Sequence, residues 1–252
     1  EARGRFGPLL PPGTTVYAVL GAVDFDTVHN ASSGNTSKWD LFATLPERYK
    51  GDAFVCACIN ANDPLKDMRT VLEQLKAMGV ESVSNIGPSI SYVDKDSEIR
   101  RVLTKAGITF ENEIAMLALA REMDMVTIGL AFDEEDSVQL VERCKPDVFC
   151  FHAGTTKGGI RGYDSGETIA ETAARTEAVN QKLRRISPDV LLIAHGAAME
   201  TPEEAQYMLD HTSVDGFWTG SSTERIPIEN AVSTTAAKFA SLRFPAAREG
   251  RR

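Results

Sequence analysis

The stretch that decides the fold is residues 126–152, VTIGLAFDEEDSVQLVERCKPDVFCFH. It holds two unbroken apolar runs, Val126–Phe132 and Asp147–Phe151, separated by a helical pattern over Glu134–Arg143. Neither run alternates strictly between apolar and polar residues, which marks strands covered on both faces. A strand, a helix and a second strand of this length form one parallel βαβ unit. The unit repeats in both directions. Further strands are predicted at Ala53–Ile59, Ser82–Ile86, Val190–Ala194 and Gly216–Thr219, and helices at Pro64–Met78, Asp96–Ala106, Glu111–Met123, Gly166–Ile186, Pro202–Asp210 and Ile228–Leu242. In the first helix Leu65, Met68, Val71, Leu72, Leu75 and Met78 recur at three- and four-residue steps, a stripe that packs on a sheet. Asp63 before Pro64, and Thr201 before Pro202, have the form of N-caps followed by proline, and Gly79 that of a stop.

Six consecutive βα units imply a parallel sheet with right-handed crossovers. Thr15–Gly21 adds a seventh strand, and Val23–Val28 is either an eighth or its continuation. The expected fold is therefore α/β, a (β/α)8-type barrel with an atypical N-terminal strand region. Its predicted layout is an irregular arm over 1–13, one barrel domain over 14–244 and a flexible tail over 245–252. A doubly wound open sheet is the alternative, but Gly21 is not followed by the glycine spacing of a dinucleotide-binding turn.

Composition agrees with a single domain: 252 residues, 42% hydrophobic and 25% charged, suit a barrel, which uses about 250 residues. A net charge of −9 opposes non-specific binding to nucleic acid or anionic lipid. No apolar run nears the roughly 18 residues of a membrane span. Cys56, Cys58, Cys144 and Cys150 lie in or beside apolar segments and lack a second metal-binding pair. They read as reduced thiols of a cytoplasmic protein. The polar, acidic outer helices lead us to expect a homo-oligomer and no nucleic-acid or membrane partner.

Parallel barrels carry their chemistry at the C-terminal ends of the strands. Three ends stand out. His152 is followed by Gly154, Thr155, Thr156 and Lys157, a titratable group ahead of a loop whose backbone N–H groups suit an anion. His195 precedes Gly196 at the matching place on the next strand. Gly220, Ser221 and Ser222 follow the last strand, where barrels of this kind bind phosphate, with Arg225 beyond them. Arg225 either reaches the anion or pairs with Glu224. Asn85 follows another strand, and Glu113 opens a helix from which it either reaches inward or faces solvent. A structural histidine hydrogen-bonded to a carbonyl is the bland alternative at each imidazole. Two at adjacent strand ends make it less economical.

The run from Asn62 to Phe244 resembles the phosphoenolpyruvate hydrolase-like TIM-barrel family, which occurs alone and as the C-terminal domain of larger, plant virus-resistance-type proteins. The resemblance rests on Asn62-Asp-Pro-Leu-Lys-Asp-Met68, Asn85-Ile-Gly-Pro88, Glu111-Asn-Glu113, His152-Ala-Gly-Thr-Thr156, His195-Gly196 and above all Gly220-Ser-Ser-Thr-Glu-Arg-Ile-Pro227 with Glu229 and Ala231. Two features depart from it. Residues 1–50 show only a trace, Asn30–Gly34, of the expected asparagine–serine–glycine loop, and Lys157 replaces a small residue. The resemblance implies a hydrolase or lyase acting on a small phosphorylated or α-keto acid.

Three functions follow as expectations. In the first, His152, His195, Glu113 and Glu224 supply acid/base groups around an anion held by Asn85, Gly154, Thr155, Thr156, Gly196, Gly220, Ser221, Ser222 and Arg225. Mg2+ or another divalent ion is compatible with that chemistry, though the sequence names no ligands. In the second, His152, His195 and a carboxylate such as Glu113 bind a metal as a facial triad of the non-haem iron type. In the third, the barrel senses a ligand without turning it over.

Overall fold

The computed structural model describes residues 56–86, 89–160, 162–223 and 225–242. The expected strands at Thr15–Gly21 and Val23–Val28, the N-terminal arm, the tail and Glu224 lie outside them. Six strands, β1 (Cys56–Cys58), β2 (Ser82–Ser84), β3 (Val126–Ala131), β4 (Val148–His152), β5 (Leu191–His195) and β6 (Gly216–Phe217), form one sheet in sequential order. Every pairing is parallel. Helices α1 (Met68–Ala77), α2 (Glu98–Lys105), α3 (Phe110–Glu122), α4 (Glu134–Cys144), α5 (Ile169–Ile186), α6 (Pro202–His211) and α7 (Arg225–Ala240) alternate with them, two of them between β2 and β3.

The two faces of the sheet decide between barrel and open sheet. Phe149, Ala131, Phe151 and Leu192 pack with Leu117, Leu140, Val141, Val179 and Leu183 from the helices. On the opposite face, among the described residues, Ile128, Leu130, Val148, Cys150, Ile193 and Trp218 cluster with one another and with Cys56, Ile86, Val126, Phe132 and Leu191 from the strands and their ends, and no helix residue joins them. A doubly wound sheet would have helices against both faces. A face that meets only other strands, in a sheet of sequential parallel order, belongs to the inside of a TIM-type barrel.

The ends opposite the candidate site are pinned by one repeated device. Asp147, immediately before β4, is buried and accepts hydrogen bonds from the Thr127 amide (2.9 Å) and hydroxyl (3.0 Å). Asp215, immediately before β6, accepts from the Leu192 amide at 2.9 Å. Each carboxylate thus satisfies an amide on the preceding strand that would otherwise lack a partner.

Several element ends differ from the sequence reading. Helix α1 starts at Met68, four residues later than predicted, because the Asp67 carboxylate caps it through the Thr70 amide; Asp63 instead accepts from the Leu65 amide in the turn before it. Thr168 and Thr201 close reciprocal capping boxes with Glu171 and Glu204, so α5 begins at Ile169 rather than Gly166. Gly79 does end α1, with φ +82°. Among the described residues no helix is long and apolar enough to cross a membrane.

Candidate functional site

A strand's period of two sets the inward face: Val148 and Cys150 lead to His152, and Leu191 and Ile193 lead to His195. The register makes His152 and His195 direct partners at the C-terminal ends of β4 and β5. Their ring centroids are 4.4 Å apart and the planes cross at 83°. Both side chains are half-buried, so they reach the opening of the barrel.

Their hydrogen bonds differ in polarity. His195 Nδ1 lies 2.8 Å from the Trp218 carbonyl oxygen, which only accepts, so Nδ1 carries the proton and Nε2 keeps a lone pair. His152 Nδ1 accepts from the Gly154 amide at 3.2 Å, so its proton sits on Nε2. Burial, with the neighbouring His195 second, holds His152 well below the usual imidazole range, and burial lowers His195 despite the Trp218 carbonyl. Both rings are neutral near pH 7. One thus offers a base at Nε2 and the other a donor.

This lowering has a measurable sign. Below about pH 6.5 the unfolded chain takes protons that the folded rings refuse, so their contribution to stability is present above that pH and lost as pH falls. Wild type is therefore expected to lose more of its urea midpoint between about pH 7.5 and 5 than His195→Asn does. Equal losses would remove the assignment of His195 as a buried neutral ring.

The loops behind the two histidines are laced together. Ala153 N donates to His195 O (2.9 Å), Ala197 N to Gly154 O (2.8 Å) and Lys157 N to Ala197 O (3.1 Å). Gly196 has φ +86° and Ala197 φ +50°, the left-handed turn that brings β5 back over β4. A methyl group on Gly196 would overlap the Gly154 carbonyl and lie 3.0 Å from His152 Cε1. Thr156 is buried in this lacing, whereas Thr155 faces solvent.

After β6, Gly220 lies close enough that a methyl group there would be 3.8 Å from His195 Cε1. Ser221 and Ser222 form the half-buried turn that follows, closed by Thr223 N to Gly220 O (3.0 Å) and Ile226 N to Ser221 O (2.9 Å). Arg225 has partners that the sequence reading does not name, and Glu224 lies outside the described residues. It pairs with Glu229 (3.1 Å) one helical turn on and donates to Gly158 O (3.0 Å), while Glu229 accepts from the Ile160 amide (2.5 Å). The pair clamps the loop after β4 to the start of α7.

Asn85 and Glu113 meet in a different place. Asn85 imitates a strand partner, accepting from Leu130 N (2.8 Å) and donating to Leu130 O (2.9 Å). Its remaining amide proton goes to Glu113 Oε2 (2.6 Å), and Ile90 N donates to Glu113 Oε1 (2.7 Å). Burial raises the Glu113 carboxyl to about 7 against these donors. Glu113 thereby anchors the loop around Ile90 rather than joining the histidines. Alanine at Asn85 strands the Leu130 amide and carbonyl and one Glu113 oxygen, and is expected to cost about 3 kcal/mol in urea unfolding.

Three residues of the rim were not among the sequence candidates. Phe132, stacked on His152 (centroids 4.1 Å, 23°), Tyr92, edge-on to Phe132 (5.0 Å, 71°), and Trp218, 5.9 Å from the His195 ring, extend the pair on both sides. Phe132 and Trp218 were legible, since each continues its strand's inward parity; Tyr92 sits on a loop that no periodicity reaches. Glu200 was also passed over, and its carboxylate packs against Gly158.

Among the described residues no three His, Cys, Asp or Glu side chains stand together to hold a metal. The triad of His152, His195 and Glu113 is not assembled, because Asn85 and Ile90 hold the carboxylate elsewhere.

The fold and this rim define a class: a (β/α) barrel carrying two inward imidazoles at adjacent strand ends. The chain belongs to the phosphoenolpyruvate hydrolase-like family, whose model matches residues 34–242. It is 32% identical over 189 residues to the ToMV susceptible protein tm-1(GCR26) of Solanum lycopersicum and, to the same extent, to the ToMV resistance protein Tm-1(GCR237). It is 24% identical over 183 residues to a putative transcriptional regulatory protein, y4pA, of Sinorhizobium fredii (strain NBRC 101917 / NGR234). These matches cover 75%, 75% and 73% of this chain but only 24%, 24% and 29% of the relatives, so the chain spans about a quarter of their length. Among solved structures, the tryptophan synthase α subunit of Campylobacter jejuni superposes with a TM-score of 0.51 at 14% identity, covering 83% of this chain and 72% of that one. That likeness is one of fold.

Proposed function

We propose that this chain is a TIM-barrel enzyme that moves a proton on a small anionic acid, phosphorylated or α-keto, using His195 as base and His152 as donor. The observation that carries the reading is the opposite protonation of two neutral rings 4.4 Å apart. Near neutral pH such rings are suited to general acid–base work. In the simplest step, His195 Nε2 takes a proton from the carbon beside the substrate carbonyl. The C–H electron pair forms the enolate double bond, and the carbonyl π pair moves to oxygen, where His152 Nε2–H donates a hydrogen bond or its proton. Bond cleavage or hydrolysis would build on the same enolate.

The turn of Gly220, Ser221 and Ser222 beside His195 and the solvent-facing Thr155 in the loop after β4 supply backbone amides and hydroxyls for the acid's negative charge. Lys157, half-buried in that loop and without an ion pair among the described residues, adds a positive charge.

The test is proton exchange. In D2O near pH 7.5, the protein is expected to speed deuterium incorporation beside the carbonyl of pyruvate-type acids, followed by proton NMR. The rate should hold through about pH 6.5 and fall only at lower pH, because burial keeps His195 below the usual imidazole range. Tight binding with no exchange, and no other turnover, would replace the enzyme with a ligand-sensing barrel.

A further inference from the structure

We propose that the acid carries a flat unsaturated group, of the aryl α-keto type, which lies against Tyr92 and Phe132. The proposal rests on the function just given and narrows its substrate.

Five rings form one run across the rim: Tyr92, Phe132, His152, His195 and Trp218, with successive centroid separations of 5.0, 4.1, 4.4 and 5.9 Å. They come in chain order, Tyr92 from the loop after β2 and the other four from the ends of β3 to β6. The two reacting rings lie in the middle. Toward β6 the run ends in Trp218, which is buried and filled around by the barrel interior. Toward β2 it ends in the open, because Tyr92 is 62% exposed. Among the described residues, a ligand that meets His152 and His195 therefore has exposed aromatic surface on the β2 side.

That side is also held in place. Arg100 donates to the carbonyls of Ile90 and Val93, the latter at 2.9 Å, and its guanidinium lies 3.6 Å from Asp136. Ser91 Oγ accepts from the Phe132 amide (2.9 Å), and Glu113 accepts from the Ile90 amide (2.7 Å). The loop bearing Tyr92 is thus fixed to α2, α3 and the end of β3 before any ligand arrives. An exposed ring on such a loop pays no ordering entropy when a second ring packs on it. Offset or edge-on contact between rings favours a flat partner over an aliphatic one of equal size. The enolate proposed above would also stay conjugated with an aryl group, which stabilises its charge.

Binding of three acids that share one head group separates the outcomes: pyruvate, phenylpyruvate and cyclohexylpyruvate, titrated against the whole chain by calorimetry. Phenylpyruvate is expected to bind at least about 10-fold more tightly than pyruvate and about 3-fold more tightly than cyclohexylpyruvate. Tyr92→Ala, at an exposed position, should erase most of that preference and leave pyruvate affinity unchanged. If phenylpyruvate binds no better than cyclohexylpyruvate, or if its advantage survives in Tyr92→Ala and again in Phe132→Leu, the flat-group proposal fails while the acid-binding function stands. If none of the three acids, nor a phosphorylated analogue, binds at all, the function itself fails and takes this proposal with it.

Discussion

Asparagine at His195 is expected to slow proton exchange by about 10²–10⁴-fold, the range for loss of a positioned base. Asparagine is chosen because its Nδ2–H can take over the Nδ1–H bond to the Trp218 carbonyl while offering nothing at the Nε2 position. The variant therefore removes the base and keeps the bond, and its urea midpoint should change by less than about 1 kcal/mol. The partner position must respond in the opposite sense. Glutamine at His152 places an N–H donor near the original Nε2 and should retain more activity than asparagine there, which satisfies Gly154 N but lacks the donor. Two histidines that merely fill space would show no such split, and equal activity of His152→Gln and His152→Asn would end the donor assignment.

Alanine at Gly196 should damage the structure severely for a single methyl group. The left-handed φ of +86° costs a non-glycine residue about 1–2 kcal/mol. The added carbon would also overlap the Gly154 carbonyl, whose oxygen already accepts from Ala197 N at 2.8 Å. Because that contact is with backbone on both sides, no rotamer change relieves it. A loss of about 3–5 kcal/mol in urea unfolding is expected, together with a shift of His152, which sits 3.0 Å from the new carbon. By contrast, alanine at Gly107, which also has positive φ but meets nothing within 4 Å, should cost only the backbone part. Similar losses at the two glycines would show that the steric argument is mistaken.

The pair of histidines could be found in the sequence because a strand repeats every two residues. Counting from Val148 and from Leu191 places His152 and His195 on the same face without any structure, and their adjacency follows from sequential strand order. The same count reaches Phe132 and Trp218. It fails for Glu113, whose role depends on the Asn85 side chain acting as a false strand partner, a feature with no periodic signal. Nor does it reach the Glu229 and Gly158 partners of Arg225. There the choice lay between an anion and Glu224, and α7 begins early enough, at Arg225 itself, to bring Glu229 within one turn. Local caps moved the starts of α1 and α5 by three or four residues because Asp67 and Thr168 accept N–H groups better than the positions first chosen. Periodicity thus recovered what repeats, while single long-range hydrogen bonds escaped it.

Sequential strand order also bears on how the molecule is made. Each described strand after β1 pairs with the one synthesised just before it, so the growing sheet can add one stave at a time as the nascent chain emerges from the ribosome. The imidazole pair waits for the later strands of that schedule. His152 must wait for β5 before it has a neighbour, and His195 finds its acceptor only when Trp218 appears. A nascent chain halted after α5 would lack β5 and so have no paired imidazoles, which leaves the pair unformed until that strand has been made.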